Sequence, residues 1–224
     1  MTRLALGIDF GTSGARAAIV DLDEVVLAQV RCAYPIAASF TAEGWRQSLF
    51  SLLEQIPARL RGQIGAIALD GTSSTVLLCD SAGEPVTLPL LYNDDRGKAV
   101  IAQLSKIVPP GHTVCSATSS LAKLLWWRET LPLATWSTVR YLMHQADWIG
   151  FLLHGQPGVS DYHNALKLGY DVGQLRYPDW LTALEMRELL PTVKKPGDAI
   201  APLQPDIADR FNLPKTCIVC AGTT

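Results

Sequence analysis

Three short runs in this chain carry side chains able to do chemistry. The first is Gly7-Ile8-Asp9-Phe10-Gly11-Thr12-Ser13-Gly14-Ala15-Arg16. A carboxylate closes an apolar stretch, and small, donor-rich residues follow it. Glycines let main-chain N–H groups come close to an anion, and the hydroxyls of Thr12 and Ser13 add donors. Gly11, Thr12 and Ser13 therefore form a candidate cradle for phosphate, and Asp9 a candidate holder of a hydrated Mg²⁺ beside it. The run is not a Walker loop: the chain holds no G-x-x-x-x-G-K-[ST] and no G-x-G-x-x-G. On its own it reads equally well as a Gly-rich hairpin turn with an incidental acid.

The second run, Asp70-Gly71-Thr72-Ser73-Ser74-Thr75, places hydroxyls and a glycine at the end of an apolar stretch. Sites in open α/β sheets sit at such strand ends, which makes Ser73 a candidate ligand-binding residue; a plain polar turn is the bland alternative. The third run, Leu91-Tyr92-Asn93-Asp94-Asp95-Arg96, joins carboxylates, an amide and a guanidinium to an aromatic ring. Sugars are held by such sets, through paired polar contacts to neighbouring hydroxyls and an aromatic wall. Asp94 and Arg96 are the candidates here, although Asn93 or Asp94 would also serve as a helix N-cap. A further segment, Ser160-Asp161-Tyr162-His163-Asn164-Ala165, reads by itself as a capped helix start.

The elements that must position these runs follow from periodicity. Leu4 to Asp9 reads as a buried strand, Arg16 to Leu22 as a second and Glu24 to Arg31 as a third, joined by loops short enough for an antiparallel meander. Ala42 to Arg61 has helical spacing of Trp45, Leu49, Leu52, Leu53, Ile56 and Leu60. Ile64 to Leu69 and Thr75 to Cys79 are strands. Asp94 to Ile107, Ser120 to Thr130 and Ala146 to Leu153 are expected to be helices, and Val139 to Met143 a short strand. Gly158 to Pro202 reads as mostly loop with short helices near Leu181 to Leu190. A short helix over Pro205 to Phe211 and a strand over Cys217 to Cys220 complete the chain. Strand, strand, strand, helix, strand is not the simple alternation of a dinucleotide fold.

The 224 residues are 48% hydrophobic and 18% charged, a balance that can bury a core. A net charge of −2 without a basic stripe argues against nucleic acid as a partner. No apolar run has the length of a membrane span, and Asp9 ends the N-terminal one too early for a signal peptide. Cytoplasmic placement is the expectation, or the plastid for a plant source. Cys217-Ile218-Val219-Cys220 has C-x-x-C spacing, but its residues suit a buried strand and it has no second C-x-x-C for a zinc site.

The first run resembles the first phosphate motif of the actin-like ATPase superfamily, and Gly7 to Asp21 is similar to the opening of the FGGY carbohydrate kinases. Asn93-Asp94-Asp95-Arg96 resembles that family's W-N-D-x-R sugar segment, with Tyr92 in place of Trp. Ser160 to Ala165 resembles its S-D-x-x-N-A segment. The resemblance covers 1–224 as one N-terminal domain. It implies an α/β, ribonuclease-H-like fold of the actin and hexokinase type, a mixed sheet flanked by helices. It further implies ATP and Mg²⁺ as cofactors and a small sugar as substrate. Asp9 takes the metal and phosphate role, Gly11, Thr12 and Ser13 face the phosphates, and Ser73, Asp94, Arg96 and Asn164 bind the sugar. In the family an apolar strand leads into A-G-x-x-D, whose Asp is the general base. Ala221-Gly222-Thr223-Thr224 matches the approach, so the base is expected directly after Thr224, in a chain that continues into a second, C-terminal nucleotide-binding domain. This N-terminal piece alone is expected to be inactive as a kinase. Asp70 to Cys79 and the Tyr-Asn-Asp-Asp-Arg form resemble most the ribulose-kinase branch of cyanobacteria and plastids. Glycerol, gluconate and xylulose kinases share the other motifs. Two further readings stay open: half of an actin-like ATPase, and a non-catalytic sugar-sensing domain.

Overall fold

The computed structural model describes residues 4–34 and 40–224. In chain order the strands are β1 (Leu4–Phe10), β2 (Gly14–Val20), β3 (Val26–Ala33), β4 (Ile64–Gly71), β5 (Val76–Cys79), β6 (Tyr141–His144), β7 (Val159–Asp161), β8 (Thr192–Lys194), β9 (Ala199–Pro202) and β10 (Ile218–Cys220). The main sheet runs β3-β2-β1-β4-β10-β9. β1, β2 and β3 form the expected antiparallel meander, β4 and β10 continue parallel to β1, and β9 closes the edge antiparallel to β10. This is the mixed sheet and strand order of a ribonuclease-H-like domain.

Period-two alternation decides which face is packed. Leu4, Leu6, Ile8 and Phe10 point into the main core, whereas Ala5 and Gly7 lie exposed and Asp9 half-exposed on the other face. The packed face is covered by the helix Ala42–Gln55, through Trp45, Leu49, Leu52 and Leu53, and by Trp148, Ile149, Ile207 and Phe211 of the helices Gln145–His154 and Pro205–Phe211. A second core lies under the β5-β6 pair. β5 is shared between the two: Leu77 and Cys79 belong to the first, Val76 and Leu78 to the second. The helix Ser120–Thr130 fills the second core with Leu121, Leu124, Leu125 and Trp127. No helix among the described residues is long and apolar enough to cross a membrane.

Several expected elements are displaced, each for a local reason. The helix expected over Ala42 to Arg61 ends at Gln55, and a separate turn of helix covers Ala58–Arg61. Pro57 has no N–H to donate and drives Ile56 to an extended conformation (ψ 131°), which stops the first helix. β2 and β3 lie two residues from their expected bounds at opposite ends of the turn. There Asp21 Oδ1 accepts the N–H groups of Asp23 and Val25, and Glu24 takes a positive φ of 62°. Asp94 to Ile107 is not one helix but a 3₁₀ turn, Arg96–Val100, followed by a single α-turn, Ile101–Leu104. The Asp94 carboxylate captures the Arg96 N–H and folds the chain locally. Gly158 to Pro202 carries three strands as well as its short helices. Cys217 is buried in the first core, and burial pushes its thiol up to about 12, which suits packing and not metal ligation.

His154, near the end of the helix Gln145–His154, is a buried group whose charge is linked to stability. Its Nδ1 accepts the Gln156 N–H at 3.0 Å, and its Nε2 is buried with no partner among the described residues. Burial, against a weaker pull from Asp147, lowers its pKa from 6.5 to about 4. The unfolded chain therefore binds the proton first, so this contribution to stability is present at neutral pH and is lost as pH falls from 6.5 toward 4. Urea unfolding at about pH 7 and about pH 4 should show wild type losing more stability than His154→Gln between the two, by up to about 3 kcal/mol.

Candidate functional site

β1, β4 and β10 point their C-terminal ends the same way, and the polar side chains gather there. Asp9 and Asp70 are partners across the β1–β4 ladder, and Thr223, just past the end of β10, bridges to Asp70. Asp9 also faces Arg16 across the β1–β2 ladder, with Arg16 Nε donating to Asp9 Oδ2 at 2.6 Å. The Arg16 side chain is 77% exposed, so this pair can open without disturbing the core. Burial, then the nearby charge of Asp9, raises the Asp70 carboxyl above the usual range. Asp70 Oδ1 is buried with no hydrogen-bond partner among the described residues. A donor-less carboxylate oxygen beside a second carboxylate fits a hard divalent cation, so Asp9 and Asp70 are the residues that could hold Mg²⁺. A hollow of about 1150 Å³ on the open sheet face includes Asp9, Arg16, Asp70 and Thr223 in its wall.

The turn after β1 is a hairpin closed by Gly11 N–H donating to the Gly14 carbonyl at 3.1 Å, with Thr12 and Ser13 exposed at its tip. A Cβ on Gly14 would lie 2.7 Å from the Cys32 carbonyl, so only glycine lets β2 leave the turn this close to β3. The turn is tied to the second polar run by Thr72 Oγ1, which donates to the Phe10 carbonyl at 3.2 Å. Thr72 N–H in turn donates to Gln145 Oε1 at 2.9 Å. Between these pieces lies a hollow of about 210 Å³, walled by Gly11, Thr12, Thr72, Thr75, Asn93 and Gln145 among others. It brings Gly11 and Thr12 of the first run together with Thr72 and Thr75 of the second and Asn93 of the third.

The third run follows immediately. Thr75 Oγ1 accepts the Tyr92 N–H at 3.0 Å, and Val76 and Leu90 exchange main-chain bonds, which zips this run onto the second. Asp94 Oδ1 accepts both the Arg96 N–H and, at 2.8 Å, the Arg96 Nε. The Arg96 guanidinium also stacks 4.7 Å over Trp126. Asp94 and Arg96 are thus held as a unit, in the wall of a hollow of about 750 Å³ that shares Leu91 and Asn93 with the smaller one. Tyr92 is exposed, in the place where an aromatic wall was expected. Ser73 is half-buried in the turn between β4 and β5.

Asn164 sits elsewhere. It is fully buried, and its amide donates to Asp161 Oδ2 at 2.7 Å and to the Thr223 carbonyl at 3.1 Å. It holds the segment just past β10 in place from behind, and its Oδ1 is buried without a partner among the described residues. His163 adds a second hold, Nδ1 to Thr223 Oγ1 at 2.6 Å. Asp70, Thr72, Thr75 and Gln145 line the candidate site but stand outside the set expected from sequence. Asp70 had a readable signal: Leu69-Asp70-Gly71-Thr72-Ser73 repeats the pattern of Ile8-Asp9-Phe10-Gly11-Thr12-Ser13 with Phe10 left out, at a second strand end. Gln145 had none, since it opens an apolar stretch that reads as core helix.

Residues 4–224 match the FGGY family of carbohydrate kinases, N-terminal domain. The xylulose kinase of Klebsiella pneumoniae is 22% identical over 238 residues, which cover 97% of this chain and 47% of that protein. This chain thus spans about half the length of that curated relative. Among solved structures, a xylulose kinase from Brucella ovis aligns with a TM-score of 0.83 at 21% identity, over 99% of this chain and 48% of that one. Plasmodium falciparum glycerol kinase with ADP aligns with a TM-score of 0.81 at 15% identity, over 99% and 48%. With a family model that spans all but its first three residues, the chain belongs to the FGGY carbohydrate kinases, as their N-terminal domain.

Proposed function

We propose that this chain is the sugar- and phosphate-binding half of a cytoplasmic ATP-dependent kinase that phosphorylates a hydroxyl of a ketopentose. D-ribulose is the first candidate, because Asp70 to Cys79 and Tyr92 to Arg96 resemble the ribulose-kinase branch. Xylulose, the sugar in the relatives' names, is the comparison. One observation carries the reading: Gly11 and Thr12 share a single sugar-sized hollow with Thr72, Thr75, Asn93 and Gln145, and the paired carboxylates Asp9 and Asp70, two residues before Gly11 and Thr72, line a separate hollow.

Phosphoryl transfer rests on positioning and charge neutralisation. Main-chain N–H groups and hydroxyls of Gly11 to Ser13 would orient the terminal phosphate, and Ser73, Asp94 and Arg96 would fix the sugar, with Asn164 setting the strand end behind it. Mg²⁺, when held by Asp9 and Asp70, would neutralise phosphate charge. The reading assigns the base that takes the hydroxyl proton to an Asp directly after Thr224, and the adenosine site to a second domain.

Calorimetric titration of D-ribulose into the protein tests the sugar half of this reading. Asp94→Ala also frees Arg96, and removing charged hydrogen-bond partners should weaken binding at least about tenfold. The thermal midpoint should stay near wild type, since Asp94 and Arg96 are partly solvent-exposed. Heat from Mg·ATP but none from any sugar would favour the ATPase alternative. Sugar binding without any Mg·ATP binding in the intact protein would favour a sensor.

A further inference from the structure

Lys123 is the largest buried charge that the proposed chemistry leaves unused. It lies in the helix Ser120–Thr130, its side chain has no solvent exposure, and it faces the zipped segments from the second core. Its Nζ donates to the Ser74 carbonyl at 2.7 Å and to the Leu91 carbonyl at 2.6 Å. These are the last carbonyls of two chain segments where their mutual pairing stops. Val76 and Leu90 are the final main-chain pair between them among the described residues, and the Thr75 hydroxyl takes the Tyr92 N–H just past it. Ser74 has a left-handed backbone, φ 60°, which is uncommon for a non-glycine residue and turns its carbonyl toward the ammonium.

A buried ammonium without a carboxylate bonded to it is a poor way to fill space; Met or Leu would do so without the desolvation cost. Desolvation brings Lys123 down to about 8, with Asp94 opposing the shift and Arg96 adding to it. What Lys123 supplies that Met cannot is two strong donors, aimed at the two points where the Ser73–Thr75 turn and the Tyr92–Arg96 segment meet.

Resting on the sugar-kinase reading, we propose that Lys123 is a positioning residue: it clamps the Ser74 and Leu91 carbonyls and so sets the distance and angle between the two walls that receive the sugar. It touches neither the phosphate turn nor Asp9. Its removal should therefore act on the sugar and spare the nucleotide.

The test is Lys123→Met in the intact enzyme, with steady-state kinetics against D-ribulose, xylulose and ATP, and amide hydrogen exchange on the sugar-free protein. The expected result is a sugar KM raised about tenfold or more, with the KM for ATP within about twofold of wild type. Exchange of the Tyr92 and Asp94 amides should speed up while amides of β1 and β4 keep wild-type protection. An unchanged sugar KM, equal rises in both KM values, or exchange that rises uniformly or not at all would overturn the proposal. Should the Met variant not accumulate folded, Lys123→Gln, which keeps a donor but falls short of both carbonyls, is judged by the same criteria. Wild type that phosphorylates no sugar would count against the kinase reading alone. The clamp would then stand or fall on the exchange pattern, which needs no activity.

Discussion

Asp9→Asn in the intact enzyme is expected to lower turnover roughly 10²–10³-fold, the loss typical when one preorganised electrostatic group is removed, while the protein remains folded. The substitution keeps size and shape but removes the negative charge at the end of β1. Asp9 lies on the open face of the sheet, 31% exposed, and its only side-chain bond among the described residues is to Arg16, itself 77% exposed. A pair this open contributes about 0–1 kcal/mol, so the melting midpoint should hardly move. The loss should fall on kcat and on the dependence on Mg²⁺, and much less on the sugar KM, because Asp9 lines the hollow on the open sheet face, whereas Thr75, Asn93 and Asp94 line two others. Coupled assay of ADP release over a Mg²⁺ series checks this. A variant with wild-type kcat would remove Asp9 from the phosphate role.

Gly222→Ala should be the most damaging single methyl group in the chain. A Cβ there would sit 2.0 Å from the Leu69 carbonyl oxygen, main chain that cannot swing aside. Leu69 O already accepts the Thr223 N–H at 2.9 Å, and Thr224 Oγ1 donates to the Gly71 carbonyl at 2.5 Å. The added methyl would push the end of β10 off β4 and break the contacts that Asn164 and His163 make to Thr223. Overpacking of this kind costs about 1–3 kcal/mol, or roughly 2–10 °C in midpoint for a domain of this size. Gly62→Ala is the control: a Cβ there meets nothing within 4 Å and the backbone is already helical, so its midpoint should match or exceed wild type. Thermal melts of both variants decide it. Equal midpoints would mean that β10 does not need its close approach.

The parts of the fold that could be read from sequence were those set by local pattern. β1 alternates apolar and small residues up to an acid and a glycine turn, and the Trp45 to Leu53 stripe announces the helix that covers the sheet. Pairings between distant residues could not be read. β7 and β8 are three residues each and find one another across the stretch from Val159 to Thr192, so neither has a signal of its own. The 3₁₀ turn after Asp95 exists because a carboxylate competes with helix formation and because Gly97 packs where a Cβ would come 2.4 Å from the Ala117 carbonyl, a contact invisible from spacing. At the candidate site, Asp9, Gly11, Thr12 and Asp94 could be named from sequence because their types suit the proposed chemistry; Gly11 and Thr12 share one hollow, and Asp9 and Asp94 line two others. Lys123 could not: on a helical stripe it reads as one more solvated charge, and only the placement of two carbonyls from other segments explains its burial.

The central claim is that the turn at Gly11 to Ser13 serves nucleotide phosphates while the adjoining hollow holds a sugar. Incubation of the intact protein with Mg·ATP and D-ribulose, followed by phosphorus NMR, tests it most directly. The account predicts a new sugar phosphomonoester signal that grows in step with ADP and disappears when the sugar is left out. ATP that stays untouched, or that is hydrolysed to inorganic phosphate at the same rate with and without every ketopentose tried, would contradict it.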